Sequence, residues 1–165
     1  MAKEIERKFL VESDGWRSEV ASSAKLLQAY VAGADDRSVR VRIFDGKTAR
    51  LTIKIGRELL SRDEFEYDIP LQDAQDMASA SIGVVLEKTR FKVEHGGYTW
   101  EIDVYDGVYR GLVVAEVEME HEGAEPDRPV WLGREITGDR RYSNLVMATE
   151  NLSRELVDGL SSAAG

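Results

Sequence analysis

The sequence of 165 residues contains no cysteine, only two histidines and only three prolines. The absence of cysteine excludes disulfide frameworks, thiol nucleophiles and cysteine-based metal sites. No stretch reaches the roughly 18–20 uncharged apolar residues that a membrane helix requires, and residues 1–8 are too charged for the apolar part of a signal peptide. We therefore expect a cytoplasmic protein that does not bind membranes.

Basic residues are scarcer than acidic ones, with 22 Lys plus Arg against 31 Asp plus Glu and a formal net charge of −9. This balance disfavours duplex nucleic acid as a partner, because such a partner attracts basic surfaces. The length, with 42% hydrophobic residues, suits one domain over residues 1–165 with its own core. No internal repeat, low-complexity tract or linker divides the chain.

Most of the chain alternates between charged and apolar residues with a period of two, which is typical of strands that have one apolar face. The pattern predicts eight strands, at residues 3–11, 25–32, 37–44, 48–55, 60–69, 84–94, 98–105 and 112–120. Asp45-Gly46 and Asp106-Gly107 mark two of the turns between them. A short helix is expected after Asp14, another at 71–81, and helix again beyond about residue 139. This order predicts a mainly β, α+β fold: a closed or nearly closed eight-stranded antiparallel barrel with covering helices.

Charges of one sign recur along single strands, although side chains on the same face of a strand lie only about 7 Å apart and repel each other. The acidic sets are Glu4/Glu6, Glu64/Glu66 and Glu116/Glu118/Glu120, and the basic sets are Arg40/Arg42 and Lys88/Arg90/Lys92. Alternation alone is compatible with an ordinary barrel that has an apolar interior and a charged exterior. The stacking of like charges, and the number of strands that share the pattern, favour a second arrangement in which a charged interior binds a charged ligand.

In the second arrangement, converging Lys and Arg side chains would match a polyphosphate. Clustered carboxylates without Cys or His partners would match a hard cation, Mg²⁺ or Mn²⁺. Bases for phosphate and acids for a divalent metal together favour phosphoryl transfer. Neither a G-x-x-x-x-G-K-[ST] loop nor a G-x-G-x-x-G loop is present, so the common nucleotide-binding folds are not indicated.

The opening Glu4-Ile5-Glu6-Arg7-Lys8 has the form E-x-E-x-K and resembles the start of the CYTH family, the triphosphate tunnel metalloenzymes. The resemblance extends from Glu4 to about Asn144. The further matching motifs are R-x-R at Arg40 and Arg42, Lys54, E-x-E at Glu64 and Glu66, K-x-R at Lys88 and Arg90, Asp103, E-x-E at Glu116 and Glu118, and W-L-G-R-E-I-T-G-D-R-R-Y-S-N at 131–144. The length and the opening E-I-E-R-K-F-L-V are most similar to bacterial inorganic tripolyphosphatases.

The resemblance implies an eight-stranded antiparallel tunnel with the charges inside, and it implies roles for individual residues. The implied substrate-binding residues are Lys8, Arg40, Arg42, Lys54, Lys88 and Arg90. The implied metal ligands are Glu4, Glu6, Asp103, Glu116 and Glu118. The implied catalytic residues are Glu64 and Glu66, which would place a second metal or the attacking water, together with Lys8. Arg50, Arg62 and Glu101 lie on the same predicted faces.

The function implied by the resemblance is Mg²⁺- or Mn²⁺-dependent hydrolysis of a triphosphate, with inorganic tripolyphosphate giving diphosphate and phosphate. A class IV adenylate cyclase is an alternative within the family. A thiamine triphosphatase is another, for which Trp16 or Tyr30 could supply an aromatic contact at the tunnel mouth. A polyphosphate- or nucleotide-binding module without turnover is the non-enzymatic alternative. A homodimer is a further expectation from the family.

Overall fold

A computed structural model describes residues 2–57 and 61–158, and within them nine antiparallel strands form one sheet. The strands are β1 (Ala2–Val11), β2 (Val20–Ala34), β3 (Arg37–Phe44), β4 (Thr48–Ile55), β5 (Ser61–Ile69), β6 (Ile82–His95), β7 (Tyr98–Asp106), β8 (Val113–Glu118) and β9 (Leu132–Glu135). Their order is β5-β4-β3-β2-β6-β7-β8-β1-β9, and β5 also pairs with β1. That pairing closes the first eight strands into a barrel, which confirms the predicted fold.

The helices are short. α1 (Leu71–Ser79) follows β5, and α2 (Asn144–Glu150) lies near the C-terminus. Short 3₁₀ helices occupy Gly15–Glu19, Gly107–Tyr109 and Arg140–Tyr142, and a π-helical turn occupies Arg154–Asp158. The helical C-terminal region is therefore broken into three pieces, the last break falling at Asn151 in the left-handed region. No helix of the described residues is long and apolar enough to span a membrane.

Two strand boundaries differ clearly from the sequence prediction. β2 runs for 15 residues and β6 for 14, and the two pair with each other along most of their length. The first residues of β2, Val-Ala-Ser-Ser-Ala, carry no alternating charge, so the period that revealed the other strands is absent there. Residue 60, at the start of the fifth predicted strand, lies outside the described residues.

The apolar faces of the strands point away from the charged faces and form two clusters on the outside of the barrel. In the first cluster, Phe9, Trp16, Trp100 and Trp131 pack together with neighbouring aliphatic side chains. In the second, Ala74 of α1 covers a patch formed by β2, β3 and β4. A third cluster joins the C-terminal segment to Tyr105 and Val114, which share a strand face with the charges. The charged faces are thus interior, which decides the question that alternation left open.

Strand β9 was not predicted, and it completes one edge of β1. On that edge β5 pairs with residues Ala2–Ile5, and β9 pairs with Phe9 and Val11. Between them, the backbone N–H of Lys8 donates to Thr137 Oγ1 at 2.9 Å, and Lys8 O accepts from the N–H of Ile136 at 2.9 Å. The segment 132–137 therefore satisfies the part of β1 that β5 does not reach.

A bidentate ion pair fastens β9 to β1. Arg7 Nε and Nη2 donate to Glu135 Oε2 and Oε1 at 2.8 and 2.7 Å. The hydrogen bonds from Arg7 lower the pKa of Glu135 from its usual 4.5 to about 2. Parallel charge-assisted bonds of this kind are stronger than neutral ones and fix geometry as well.

Glu135→Gln is therefore expected to lower the free energy of unfolding by about 1–2 kcal/mol at pH 7. Because the pKa of Glu135 is lower in the folded state, its stabilisation is present above the unfolded pKa and is lost as pH falls towards 2. Urea unfolding at pH 7 and pH 3 should show a smaller difference from wild type at pH 3. The control is Glu125→Gln, which removes an exposed partner of the same arginine; equal losses in both variants would contradict the account.

Candidate active site

The interior of the barrel holds a cavity of about 850 Å³ whose two sides differ in charge. Acidic side chains come from the contiguous strands β7, β8, β1 and β5, and basic ones from β4, β3 and β6. The acidic arc consists of Glu101, Glu116, Glu118, Glu4, Glu6, Glu64 and Glu66, and the basic arc of Arg50, Lys54, Arg40, Arg42, Arg90 and Lys92. Lys8 on β1 and Arg62 on β5 are the bases that share strands with the acidic arc. Strand order alone thus places acids opposite bases.

Within each arc, side chains of like charge face each other across neighbouring strands. Glu6 is opposite Glu118, Glu101 is opposite Glu116, and Arg42 is opposite Arg50. Like charges directly opposite on an antiparallel pair are destabilising. A surface selected only for stability would mix its signs, so these pairs indicate a ligand that carries both positive and negative charge.

Two carboxyl groups of the acidic arc have raised pKa values, because they are buried beside other carboxylates. Burial, together with the charges of Glu116 and Glu4, raises the pKa of Glu6 to about 7. Burial and the hydrogen bond to Glu4 raise the pKa of Glu64 to about 8. Burial also acts on Glu4, but Lys54 Nζ, at 2.8 Å from its Oε1, holds the pKa of Glu4 well below its usual range.

The acidic arc fits a hard divalent cation. Its donors are carboxylate oxygens only, the ligands that Mg²⁺ and Mn²⁺ prefer. Among the described residues, no three of these side chains are gathered into a ready-made metal centre. Mg²⁺ is typically held by one or two carboxylates together with substrate phosphates and water, so a partial protein site matches this mode.

The members of the basic arc differ in how their charge is balanced. Lys54 pairs with Glu4 at 2.8 Å, and Arg90 makes a bidentate pair with Asp103 at 2.7 and 2.9 Å. For Arg40 and Arg42, no carboxylate of the described residues lies within 4.0 Å. The Nε of Arg40 is buried without a hydrogen-bond partner. Arg40 and Arg42 therefore offer guanidinium groups that no carboxylate of the described residues pairs with directly.

Lys88 and Asp103 lie behind the cavity lining instead of on it. Both side chains are fully buried, and Lys88 Nζ lies 2.8 Å from Asp103 Oδ2. Lys88 Nζ and the Tyr105 hydroxyl both donate to Asn144 Oδ1, at 3.2 and 3.0 Å. Arg90 and Lys88 hold the pKa of Asp103 well below its usual range against the effect of burial. The structure thus places these two residues where they support Arg90, and the roles expected of them, substrate binding and metal ligation, stay predictions.

The remaining sequence-predicted residues converge on the cavity. Its walls include every one of Glu4, Glu6, Lys8, Arg40, Arg42, Lys54, Glu64, Glu66, Arg90, Glu116 and Glu118. The cavity is also lined by Arg50, Arg62 and Glu101, as expected from their positions on the charged strand faces. Trp16 does not, since it is buried in the outer aromatic cluster beside Phe91. Tyr30 lines the cavity but is buried in its wall, so it presents little ring surface to a ligand.

Three positions that support the site were given no role by sequence reasoning, although Thr137 and Asn144 lie within the matching motif at 131–144. Gln28 and Asn144 are neutral residues that hold charged side chains of the site, and Thr137 anchors the backbone of Lys8. None of them carries charge, and charge was the signal used along the strands. Gln28 could have been noticed as the one polar side chain among the apolar residues 26–32.

Comparison with known proteins agrees with this geometry. The CYTH domain model matches residues 2–149. The chain is 44% identical over 149 residues to an inorganic triphosphatase of Acetivibrio thermocellus, covering 88% of this chain and 94% of the relative. It is 34% identical over 150 residues to an inorganic triphosphatase of Nitrosomonas europaea, covering 88% and 96%. The crystal structure of the inorganic triphosphatase NE1496 superposes with a TM-score of 0.64 at 32% identity, covering 90% of this chain and 95% of that one.

These matches, over nearly the whole length of the chain, establish its family. The protein belongs to the CYTH family. The triphosphatases of this family depend on a metal ion, which agrees with the chemistry of the acidic arc.

The buried network around Asp103 yields a test of its structural role. Asp103→Asn removes the negative charge that pairs with the buried cations Lys88 and Arg90. We therefore expect the free energy of unfolding to fall by about 3–5 kcal/mol. Chemical denaturation in EDTA measures this without any contribution from metal. The control is Asp106→Asn, which alters an exposed pair on the same strand and should change stability by at most about 1 kcal/mol. Equal effects in the two variants would show that the buried cations do not depend on Asp103.

Proposed function

We propose that this protein is an inorganic triphosphatase that hydrolyses tripolyphosphate to diphosphate and phosphate with Mg²⁺ or Mn²⁺. The observation that carries the proposal is the opposition of an acidic and a basic arc across the cavity inside the barrel. The two curated relatives described above, which this chain matches over most of its length, are both named inorganic triphosphatase.

The basic arc would bind the phosphates. Arg40 and Arg42 offer guanidinium groups without carboxylate partners, and such groups bind phosphate oxygens with paired, charge-assisted hydrogen bonds. Lys54 and Arg90 add charge on either side of them. Lys8, whose Nζ lies 3.6 Å from Glu116 Oε1, provides a cation within the acidic arc. A chain of phosphates lying along the basic arc would meet cations at each of these positions.

The acidic arc would hold the cation. Glu4 and Glu6 on β1 and Glu116 and Glu118 on β8 are the ligands we propose. A bound Mg²⁺ or Mn²⁺ supplies charge neutralisation at the phosphate oxygens and lowers the pKa of a water. Asp103 contributes to this arrangement by holding Arg90 and Lys88 in place.

Hydrolysis requires a water positioned in line with a terminal phosphorus. Glu64 and Glu66 face the cavity from β5. The carboxylate of Glu66, or that of Glu64 at a pH above its raised pKa of about 8, can accept the proton of that water as the water oxygen attacks. The P–O bond to the leaving diphosphate breaks as the new P–O bond forms. The basic arc stabilises the negative charge that remains on the diphosphate. No covalent enzyme intermediate is needed.

The cyclase and thiamine triphosphatase alternatives both need a contact to an organic group outside the triphosphate. Trp16 is on the outer face of the barrel, and Tyr30 is buried with its hydroxyl bonded to Gln28. Phe44 lines the cavity, but the Arg50 guanidinium lies over its ring at 5.7 Å. These positions favour the inorganic substrate. A homodimer, a cytoplasmic location and the absence of nucleic-acid binding stay predictions.

A substrate panel tests the proposal. Phosphate release is measured from tripolyphosphate, ATP and thiamine triphosphate with Mg²⁺, Mn²⁺ or EDTA, and cyclic AMP is assayed in the ATP samples. We expect turnover that is highest on tripolyphosphate and lost in EDTA. Formation of cyclic AMP would assign the protein as a cyclase, and tight binding without product under either metal would make it a binding module.

Glu6→Gln removes a proposed ligand without removing core packing, since the side chain faces the cavity. We expect kcat with Mg²⁺ to fall by about 100-fold or more, in line with the loss of several kcal/mol of charge stabilisation. The thermal midpoint of the metal-free protein should not fall. The control is Glu12→Gln, which removes the same charge at an exposed position just after β1 and should keep the wild-type kcat. Full activity in Glu6→Gln would refute the metal assignment.

A further inference from the structure

Strand β2 forms part of the basic side of the barrel but carries no charge on its cavity face. Its residues there include Leu26, Gln28 and Tyr30, which alternate with outward-facing neighbours. Gln28 has no solvent-exposed surface, although glutamine is mostly found exposed in proteins. A fully buried amide at this place needs a reason, because its desolvation is costly unless each end is hydrogen-bonded.

Both ends of the Gln28 amide are in fact bonded. Arg42, directly opposite Gln28 on β3, donates from Nε to Gln28 Oε1 at 2.7 Å. Gln28 Nε2 donates to the Tyr30 hydroxyl at 3.0 Å. Since a guanidinium can only donate, the amide oxygen must face Arg42, and the nitrogen must face Tyr30. The amide therefore has one orientation, and it fixes Nε of Arg42.

A neutral partner distinguishes Arg42 from those bases of the cavity that pair with carboxylates. Lys54 is paired with Glu4, Arg90 with Asp103, and Lys8 with Glu116. Those cations are both positioned and partly neutralised by the same contact. Gln28 holds Arg42 without neutralising it, and its Oε1 occupies only Nε, which leaves the two terminal nitrogens of the guanidinium for a ligand.

The surroundings make such a support necessary. Arg42 lies opposite Arg50 on β4 and shares its face of β3 with Arg40. Burial, together with the charges of Arg40 and Arg90, lowers the pKa of Arg42 to about 10. A cation repelled by its neighbours would turn towards water if nothing held it. Binding of an anion would therefore strongly stabilise the charged guanidinium of Arg42.

We propose that Gln28 is a positioning residue for the triphosphate: it fixes Arg42 through a neutral acceptor, so that the full charge of the guanidinium remains for phosphate. The inference rests on the proposed function for the identity of the ligand. It assigns a specific purpose to the amide, which a carboxylate in the same place would not serve.

Gln28→Glu is the discriminating variant, because the carboxylate has the same shape and can accept from both Arg42 and the Tyr30 hydroxyl. We expect the Kd for tripolyphosphate, measured by calorimetry in EDTA, to rise about tenfold or more, because a charge-assisted phosphate contact is weakened. KM should rise with it, kcat should change by less than about threefold, and the thermal midpoint should be equal or higher. A purely structural role for Gln28 predicts an unchanged Kd in this variant.

Two controls complete the experiment. Gln75→Glu adds the same charge on the exposed surface of α1 and should leave Kd unchanged. In an Arg42→Ala background, Gln28→Glu should no longer change Kd, because its effect acts through Arg42. Gln28→Met, which keeps the volume but removes both hydrogen bonds, should also raise Kd, and this variant serves if the buried carboxylate prevents folding.

The outcomes distinguish failure of the proposed role of Gln28 from failure of the proposed triphosphatase function. Wild-type Kd in Gln28→Glu and Gln28→Met, or an equal rise in Gln75→Glu, would overturn the inference while leaving the proposed function intact. A wild-type protein that binds tripolyphosphate without hydrolysing it would overturn the proposed function, and the Kd series would still decide the role of Gln28.

Discussion

The structure depends on placing opposite charges on facing walls inside a closed barrel. Removing charges from water is costly, and ion pairs inside a protein recover that cost only with good geometry. Here some charges are paired, as in Lys54 with Glu4, while others face charges of their own sign. An interior of this kind is understandable when a ligand supplies the missing counter-charges on both sides. A cation against the acids and phosphates against the bases would do so.

This charged interior requires the stability of the fold to come from elsewhere. In this barrel the apolar faces of the strands are outside, and they are covered by the aromatic cluster around Trp100 and by α1. Much of the burial of apolar area, the main favourable contribution to folding, therefore occurs in a layer outside the cavity. The C-terminal segment packs against a third apolar cluster that includes Tyr105 and Val114. Because apolar packing outside the barrel supplies stability, the charged side chains inside it can be arranged for ligand binding.

Behind the cavity lining, a set of buried groups determines which cations are neutralised and which are not. Asp103 holds Arg90 and Lys88 through its charge, whereas Gln28 holds Arg42 through a neutral amide. Asn144 connects this layer to the C-terminal segment through Lys88 and Tyr105. Such supports preorganise the binding groups, so that less ordering is required when the ligand enters.

The sequence predicted the strands well because alternation is a direct record of a two-faced sheet. It could not show which face is interior, because a strand with one charged and one apolar face fits either arrangement; the family resemblance supplied that answer. β9 was missed because four residues are too few to establish a period. Among the site residues, those on the alternating faces reached the cavity as expected, whereas the burial of Lys88 and Asp103 depends on the C-terminal segment covering them. Gln28 was missed because a neutral residue on a mostly apolar strand gives no charge signal.

The most direct test of the account is a crystal structure with Mn²⁺ and a non-hydrolysable tripolyphosphate analogue. The account predicts anomalous scattering from manganese beside Glu6 and Glu118, and phosphate oxygens within hydrogen-bonding distance of Arg40 and Arg42. Manganese bound away from the acidic arc, or an analogue bound outside the barrel, would contradict the central claim that the two arcs hold the ligand between them.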